Sequence, residues 1–386
     1  MTNSPPAGLR FDAKWYAETY PDVARAVRSG GVRSLVSHYL DHGSREGRLP
    51  FPPEPQNDRV FVYGSFGSNN VGDEAILEGV RTLFPACHQF YLNKKRNGNG
   101  SFPHRALENP DFFRPNDLLI LGGGGLLYDR PTVQLMLDLA RAARARGAEV
   151  DIQRLGCEAA SPDYHDVIRD LFALARFATV RSTISQRIIH DITGRLCPVE
   201  MDFAFNLQRQ VPSIPRLVQE DLTIGIVTAS MGEADRASVT AFLRHETRHR
   251  TPDGLRFVHI PHSRSYFNAM NNDCILGEQL WCGAHMQSAW AEDAFALWPF
   301  QQDPSGALAQ YRKLDGVISF RYHSMIFARL CNLPTLAVGA ELPKIASFVD
   351  DNPSPLLHAT AADNLQTAFA PFLQLVRAER SKIKPR

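Results

Sequence analysis

Apolar residues in this chain fall into two kinds of run. Short ones, in RVFVYG (59–64), DLLILG (117–122), AEVDIQRLG (148–156) and FATVRS (177–182), read as strands. Between them lie stretches of helical period, such as EAILEGVRTLF, in which Ile76, Val80, Leu83 and Phe84 share one face. The alternation resumes after residue 221 with LTIGIVTAS, LRFVHIPHS, DGVISF and PTLAVG as strands. It ends in a long helical stretch, AADNLQTAFAPFLQLVRAE, placed to pack back across the halves. Strand and helix in strict alternation imply parallel sheets covered on both faces. The expected fold class is α/β, with two Rossmann-like doubly wound domains facing a cleft, and a small helical module in front of them.

Proline-rich breaks set the expected boundaries. RLPFPPEPQND (48–58) separates a module at 1–50 from an N-terminal domain at 59–205, and NLQRQVPSIPRLVQED (206–221) separates that from a C-terminal domain at 222–386 with the terminal helix. The aromatic spacing of Trp15, Tyr16, Tyr20 and Tyr39 predicts two or three short helices in the module. A segment so short has a marginal core, so it is expected to dock onto a partner.

A chain of 386 residues with 44% hydrophobic content can bury a large core. The 42 Lys and Arg against 41 Asp and Glu leave no basic field for nucleic acid. No apolar run approaches the roughly 20 residues that span a bilayer, and the opening has no signal-peptide core. The expectation is a cytoplasmic protein, or one peripheral at the inner face of the membrane. Six cysteines without a CxxC pair suggest neither zinc nor a disulfide framework.

Candidate chemistry concentrates at three turns. In DGVISFRYHSMIFARLCNLPTLAVG, Arg321 and His323 stand where a buried strand gives way to a helix, the place where ligands collect in such units, and residues 316–340 contain no Asp or Glu to neutralise them. Two cationic donors there suit an anion; the plainer reading pairs Arg321 with a distant carboxylate. In GSFGSNNVGDEAIL a strand ends at Gly64 and a helix is expected to begin near Asp73, as its N-cap, with Gly67 and Gly72 in the loop. The run Gly122–Gly125, with Gly123 and Gly124 central, lets the backbone approach a ligand or a neighbouring loop. Neither glycine loop fits the phosphate-loop or dinucleotide fingerprints. His259 and His262 have HxxH spacing but no third partner in sequence, so no metal is expected, and His262 reads as a cleft-lining residue.

The order of these motifs resembles the polysaccharide pyruvyl transferase family. The resemblance rests on Gly72-Asp73-Glu74-Ala75, on Gly122 to Asp129, on Val180, Arg181 and Ser185, on Asp202-Phe203-Ala204-Phe205, on Pro261-His262, on Arg321 to Pro334, and on Pro343-Lys344. It spans residues 59–352. The chain departs from the pattern at Tyr322, where the family has Leu, at Phe203, where Pro is frequent, and in QRLGCEAAS, which replaces a glycine-rich run. The module at 1–50 similarly resembles a short segment attached to enzymes of bacterial cell-surface polysaccharides.

The family resemblance implies transfer of pyruvate from phosphoenolpyruvate, a donor substrate rather than a cofactor, onto a sugar of a cell-surface or exopolysaccharide glycan or its precursor. The acceptor would be a sugar, an oligosaccharide or a lipid-linked glycan, and the product a ketal. Arg181, Arg321, Lys344 and His262 would bind the trianionic donor, for which guanidinium forks are better suited than an apolar pocket. His323 would serve as acid or phosphate clamp and Asp73 as base. Two alternatives share the layout: a glycosyltransferase using a nucleotide sugar, and a non-catalytic glycan- or anion-binding protein. Against the first, the helix after Arg321 carries no Glu.

Overall fold

The structure, a computed structural model, describes residues 11–44, 46, 48, 50–51, 59–84, 88–93, 106–107, 109, 111–211, 220–249, 254–266, 269–285 and 294–383. It divides into two units, one of residues 1–67 and 76–206 and the other of residues 68–75 and 207–386. Residues 49 and 52–58 of the first proline-rich break and 212–219 of the second lie outside the described residues.

The first unit is built on five parallel strands, β1 (Arg59–Gly64), β2 (His88–Asn93), β3 (Leu118–Gly125), β4 (Glu149–Gly156) and β5 (Phe177–Val180). They lie in the order β2-β1-β3-β4-β5. Every residue of β5, and all but the last of β3, is buried, as the apolar runs require when helices cover both faces. The helix Arg130–Ala145 contributes Val133, Met136, Leu137 and Ala140 to the main core. Asp129 caps it by accepting from the Thr132 amide at 2.7 Å. The helix Thr183–Thr193 is capped by Ser182 and stops at Gly194, which takes the left-handed conformation at φ 71°.

The second unit has six parallel strands, β6 (Leu222–Val227), β7 (Leu255–His259), β8 (Phe295–Leu297), β9 (Gly316–Ser319), β10 (Thr335–Val338) and β11 (Leu357–Thr360), ordered β11-β10-β9-β6-β7-β8. Counted from β6, this is the 3-2-1-4-5-6 order of the dinucleotide-binding fold, whose winding reverses between β6 and β9. The terminal helix, Leu365–Ser381, buries Phe369, Phe372, Leu373 and Val376 in the core of this second unit.

The amino-terminal module forms three short helices, Ala13–Thr19, Pro21–Arg28 and Leu35–His38, followed by a wider turn at Tyr39–Gly43. It packs on β5 of the same unit. Tyr16, Val23, Val36 and Tyr39 form one cluster with Phe177 of β5, and Phe51 meets the edge of the Phe177 ring at 5.4 Å. The Tyr39 hydroxyl donates to Glu200 at 2.6 Å, and Glu200 also accepts from Nε of Arg154 at 2.9 Å. Arg154 is buried on β4 at the irregularity in its pairing with β5, with φ 52°, and its guanidinium lies 4.5 Å above the Phe203 ring. No helix among the described residues is long and apolar enough to cross a membrane.

Candidate active site

The strongest juxtaposition of sequence-predicted residues lies within the second unit, at the reversal between β6 and β9. β9 ends at Ser319, and the helix Tyr322–Leu330 begins three residues on. The Ser319 and Ser324 hydroxyls hold this turn together: both donate to the Arg321 carbonyl, at 3.0 and 2.8 Å. Arg321 sends Nε to the carbonyl of Thr228, just past β6, at 2.7 Å, and Nη2 to Asp273 Oδ1 at 2.5 Å. These two bonds leave Nη1 outside both.

The absence of a carboxylate in 316–340 therefore did not leave Arg321 without one. Asp273 lies 48 residues upstream in sequence and is brought in by the fold. It opens the helix Asp273–His285 and is itself 1% exposed. Its Oδ2 accepts from the backbone N–H groups of His262 and Ser263, each at 2.9 Å, while its own amide donates to the Ser263 carbonyl. Burial outweighs these donors and the Arg321 charge, so the carboxyl sits above its ordinary pKa. No sequence signal singled out Asp273, because an Asp opening a helix needs no other explanation than capping.

The turn Pro261–Arg264 holds the loop that carries Asp73. The Val71 amide donates to the His262 carbonyl at 2.9 Å, the Arg264 amide to the Asn69 carbonyl at 2.8 Å, and Asn70 pairs with Ser263 in an isolated bridge. The helix Val71–Arg81 begins two residues earlier than predicted, and Asn70 rather than Asp73 caps it: Asn70 Oδ1 accepts from the Gly72 amide at 3.0 Å. Asp73 thus stands inside the first turn, partly buried, with the Ser68 hydroxyl 3.4 Å from its Oδ2. Gly72 is buried against His323, whose imidazole occupies the space a Cβ would need. Gly67, at φ 69°, supplies the left-handed turn that opens this loop.

His262 is a second departure. It is 1% exposed, its Nε2 shares a 2.8 Å hydrogen bond with the Tyr311 hydroxyl, and its Nδ1 meets no partner among the described residues. Burial, then the charge of Arg321, holds its pKa well below the usual histidine value. A neutral, enclosed imidazole supports the turn and supplies no charge to an anion. His259 is equally enclosed, sharing a 2.8 Å hydrogen bond with the Thr228 hydroxyl, and burial lowers its pKa to about 3. Lys344 is exposed, its ammonium 5.8 Å from the centre of the Tyr322 ring, and Tyr322 in turn meets His323 edge-on. Tyr322, the departure from the family Leu, thereby links the lysine to the histidine.

Arg181, expected to bind the donor, is committed elsewhere. Its side chain is wholly buried in the first unit, where Glu158 Oε1 takes both Nε and Nη2 and Asp202 Oδ2 takes Nη1 at 3.3 Å. Its charge is neutralised by two carboxylates, one of them from the divergent segment QRLGCEAAS. Ser185 of the same motif accepts from the Cys157 amide at 2.8 Å. In the glycine run, Gly122, Gly123 and Gly124 all have positive φ, and Gly123 lies against Ile76 and Phe203. Phe203, in the place of the frequent proline, is a core residue of this unit. Among the described residues no group of three His, Cys, Asp or Glu side chains is arranged to hold a metal.

The family model for polysaccharide pyruvyl transferase matches residues 70–341, from the Asn70 cap through the Arg321 turn. The chain belongs to the polysaccharide pyruvyl transferase family. Lys344 lies just beyond the matched region. Among curated proteins, no sequence matches the chain. Solved structures share the fold of this pyruvyl transferase family member at low identity. A putative UDP-N-acetylglucosamine 2-epimerase from Listeria monocytogenes is 9% identical with a TM-score of 0.55, over 82% of this chain and 88% of that one. The UDP-GlcNAc 2-epimerase of Methanocaldococcus jannaschii is 7% identical with a TM-score of 0.53, over 82% and 91%. The pyruvyl transferase chain therefore has a two-domain α/β fold of the GT-B type.

Proposed function

We propose that the protein transfers the pyruvyl group of phosphoenolpyruvate to hydroxyls of a bacterial surface-glycan sugar, forming a ketal. The observation that carries this reading is the placement of Arg321 and His323 at the β6/β9 reversal, with His323 laid over Gly72 one residue from Asp73. Arg321 and Lys344 supply positive charge for the carboxylate and phosphate. His323 donates the proton that the methylene carbon of the donor takes up, which makes C2 electrophilic. Asp73 accepts the proton of the attacking sugar hydroxyl as its oxygen bonds to C2. A second hydroxyl then displaces phosphate from C2 and closes the ketal, its proton leaving with the phosphate. Arg181 is assigned to the interior of the first unit.

Ligand-dependent stabilisation tests the reading. Phosphoenolpyruvate at a hundredfold over its dissociation constant should stabilise the folded chain by about 2.7 kcal/mol. UDP-GlcNAc, the ligand named for a 2-epimerase structure of this fold from Neisseria meningitidis, is the comparison arm. A melting shift with UDP-GlcNAc and none with phosphoenolpyruvate would replace this reading by that of a nucleotide-sugar enzyme.

A further inference from the structure

Resting on that reading, we infer that Asp273 is a positioning residue that aims the Arg321 guanidinium at the donor anion. The carboxylate has two faces with separate duties. Oδ1 holds Nη2 of Arg321, while Oδ2 gathers the backbone amides of His262 and Ser263. With Nε tied to the Thr228 carbonyl, the guanidinium plane is fixed at two points and Nη1 remains for a ligand. An arginine on a strand-to-helix turn has four rotatable side-chain bonds; held in one pose, it loses less entropy when it grips an anion.

The same carboxylate ties Arg321 to the base. The turn whose amides it gathers bonds to Asn69, Asn70 and Val71, and so sets the start of the helix bearing Gly72 and Asp73. Donor clamp and candidate base are thus referenced to one buried atom pair. A carboxylate merely capping its helix would need neither the arginine nor the turn. The charge also has a cost: burial disfavours it, and the three donors offset only part of that.

Asp273→Asn separates the duties. Its amide oxygen can still accept from the two turn amides, but its NH2 group then faces the N–H of Nη2, donor against donor. Phosphoenolpyruvate affinity is measured by titration calorimetry for the full chain, Asp273→Asn, Arg321→Ala and the double variant, with near-UV circular dichroism reporting the fold. The expected result is native-like dichroism with at least about tenfold weaker binding in Asp273→Asn, and a double variant no weaker than Arg321→Ala alone. Millimolar guanidinium should restore part of the binding to Arg321→Ala and none to the double variant, since Asp273 must hold it. Should Asp273→Asn lose its native dichroism, Asp273→Ser, with a hydroxyl to accept from the turn, takes its place. Binding within twofold of the unsubstituted chain, losses that multiply in the double variant, or both variants unfolding would overturn the assignment while leaving the donor reading intact. Absence of phosphoenolpyruvate binding by the unsubstituted chain would sink the donor reading and this inference together.

Discussion

The imidazole of His323 lies against the backbone of Gly72, filling the volume in which any other residue would place its Cβ. This contact explains why the first turn of the helix Val71–Arg81 needs glycine at a position outside the left-handed region. The requirement comes from a neighbour rather than from backbone freedom, and it brings the candidate acid to within one residue of the candidate base.

Gly72→Ala should therefore force His323 out of place. Overpacking of this kind costs about 1 to 3 kcal/mol, seen as a lower urea midpoint at unchanged slope. Adding His323→Ala removes the obstacle and should recover most of that stability without recovering turnover. Wild-type stability in Gly72→Ala alone would show that the contact yields freely.

Arg321 and Asp73 should separate binding from chemistry. Arg321→Ala is expected to weaken phosphoenolpyruvate binding by about tenfold or more, because a charge-assisted hydrogen bond contributes about 1.5 to 3 kcal/mol. Arg321→Lys should rescue poorly, since the single nitrogen of an ammonium cannot stand at the separate positions from which Nε and Nη2 reach Thr228 and Asp273. Asp73→Asn should keep donor affinity, for Asn70 caps the helix, and lose turnover by roughly 100-fold. Full turnover in Asp73→Asn would assign the base elsewhere.

The buried histidines set a direction for acid sensitivity. His259 titrates near 6.5 in the unfolded chain and at about 3 when folded, and His262 is depressed as well. Between those values the unfolded chain holds more protons than the folded one, so this stability is full above pH 6.5 and is lost as pH falls. Each histidine contributes a slope of about 1.4 kcal/mol per pH unit. Asp273, raised by burial, acts in the opposite sense, its contribution fading as pH climbs past the ordinary carboxylate range. The diagnostic is thus a difference: His259→Gln should flatten the urea midpoint between pH 6.5 and 4 relative to the unsubstituted chain, and parallel curves would contradict the assignment.

What could be read from the sequence, and what could not, follows from range. Strands such as Arg59–Gly64 and Leu222–Val227 announce themselves because burial on both faces demands unbroken apolar runs. Phe295–Leu297 and Leu357–Thr360 went unpredicted: they are short edge strands, with exposed positions that leave no such run. The Arg321 turn was legible because strand, turn and helix are contiguous. Its neutralising Asp273 was not, and neither was the use of Glu158 and Asp202 by Arg181, because ion pairs form through space and composition near one partner says nothing of the other. Asp73 was misplaced as a cap because Asn70, three residues earlier, is an equally good one.

The last expectation concerns the amino-terminal module, whose short helices the aromatic spacing predicts and which packs on Phe177 of β5. Tyr39 places a hydroxyl on Glu200, and Glu200 in turn holds Arg154, two of whose guanidinium nitrogens are buried without a hydrogen-bond partner among the described residues. Tyr39→Phe keeps the ring and deletes one bond to a buried carboxylate, so it should destabilise by about 1.5 to 3 kcal/mol. Deleting residues 1–50 should cost more, because it also uncovers Phe177 and lets water reach the Glu200 and Arg154 pair. Glu200→Gln distinguishes the causes: it leaves the aromatic cluster in place and removes the charge that Arg154 needs, so its loss should exceed that of Tyr39→Phe. Urea unfolding of the three variants gives the order directly, and a truncated chain as stable as the full one would mean that the module merely rests on the surface it covers.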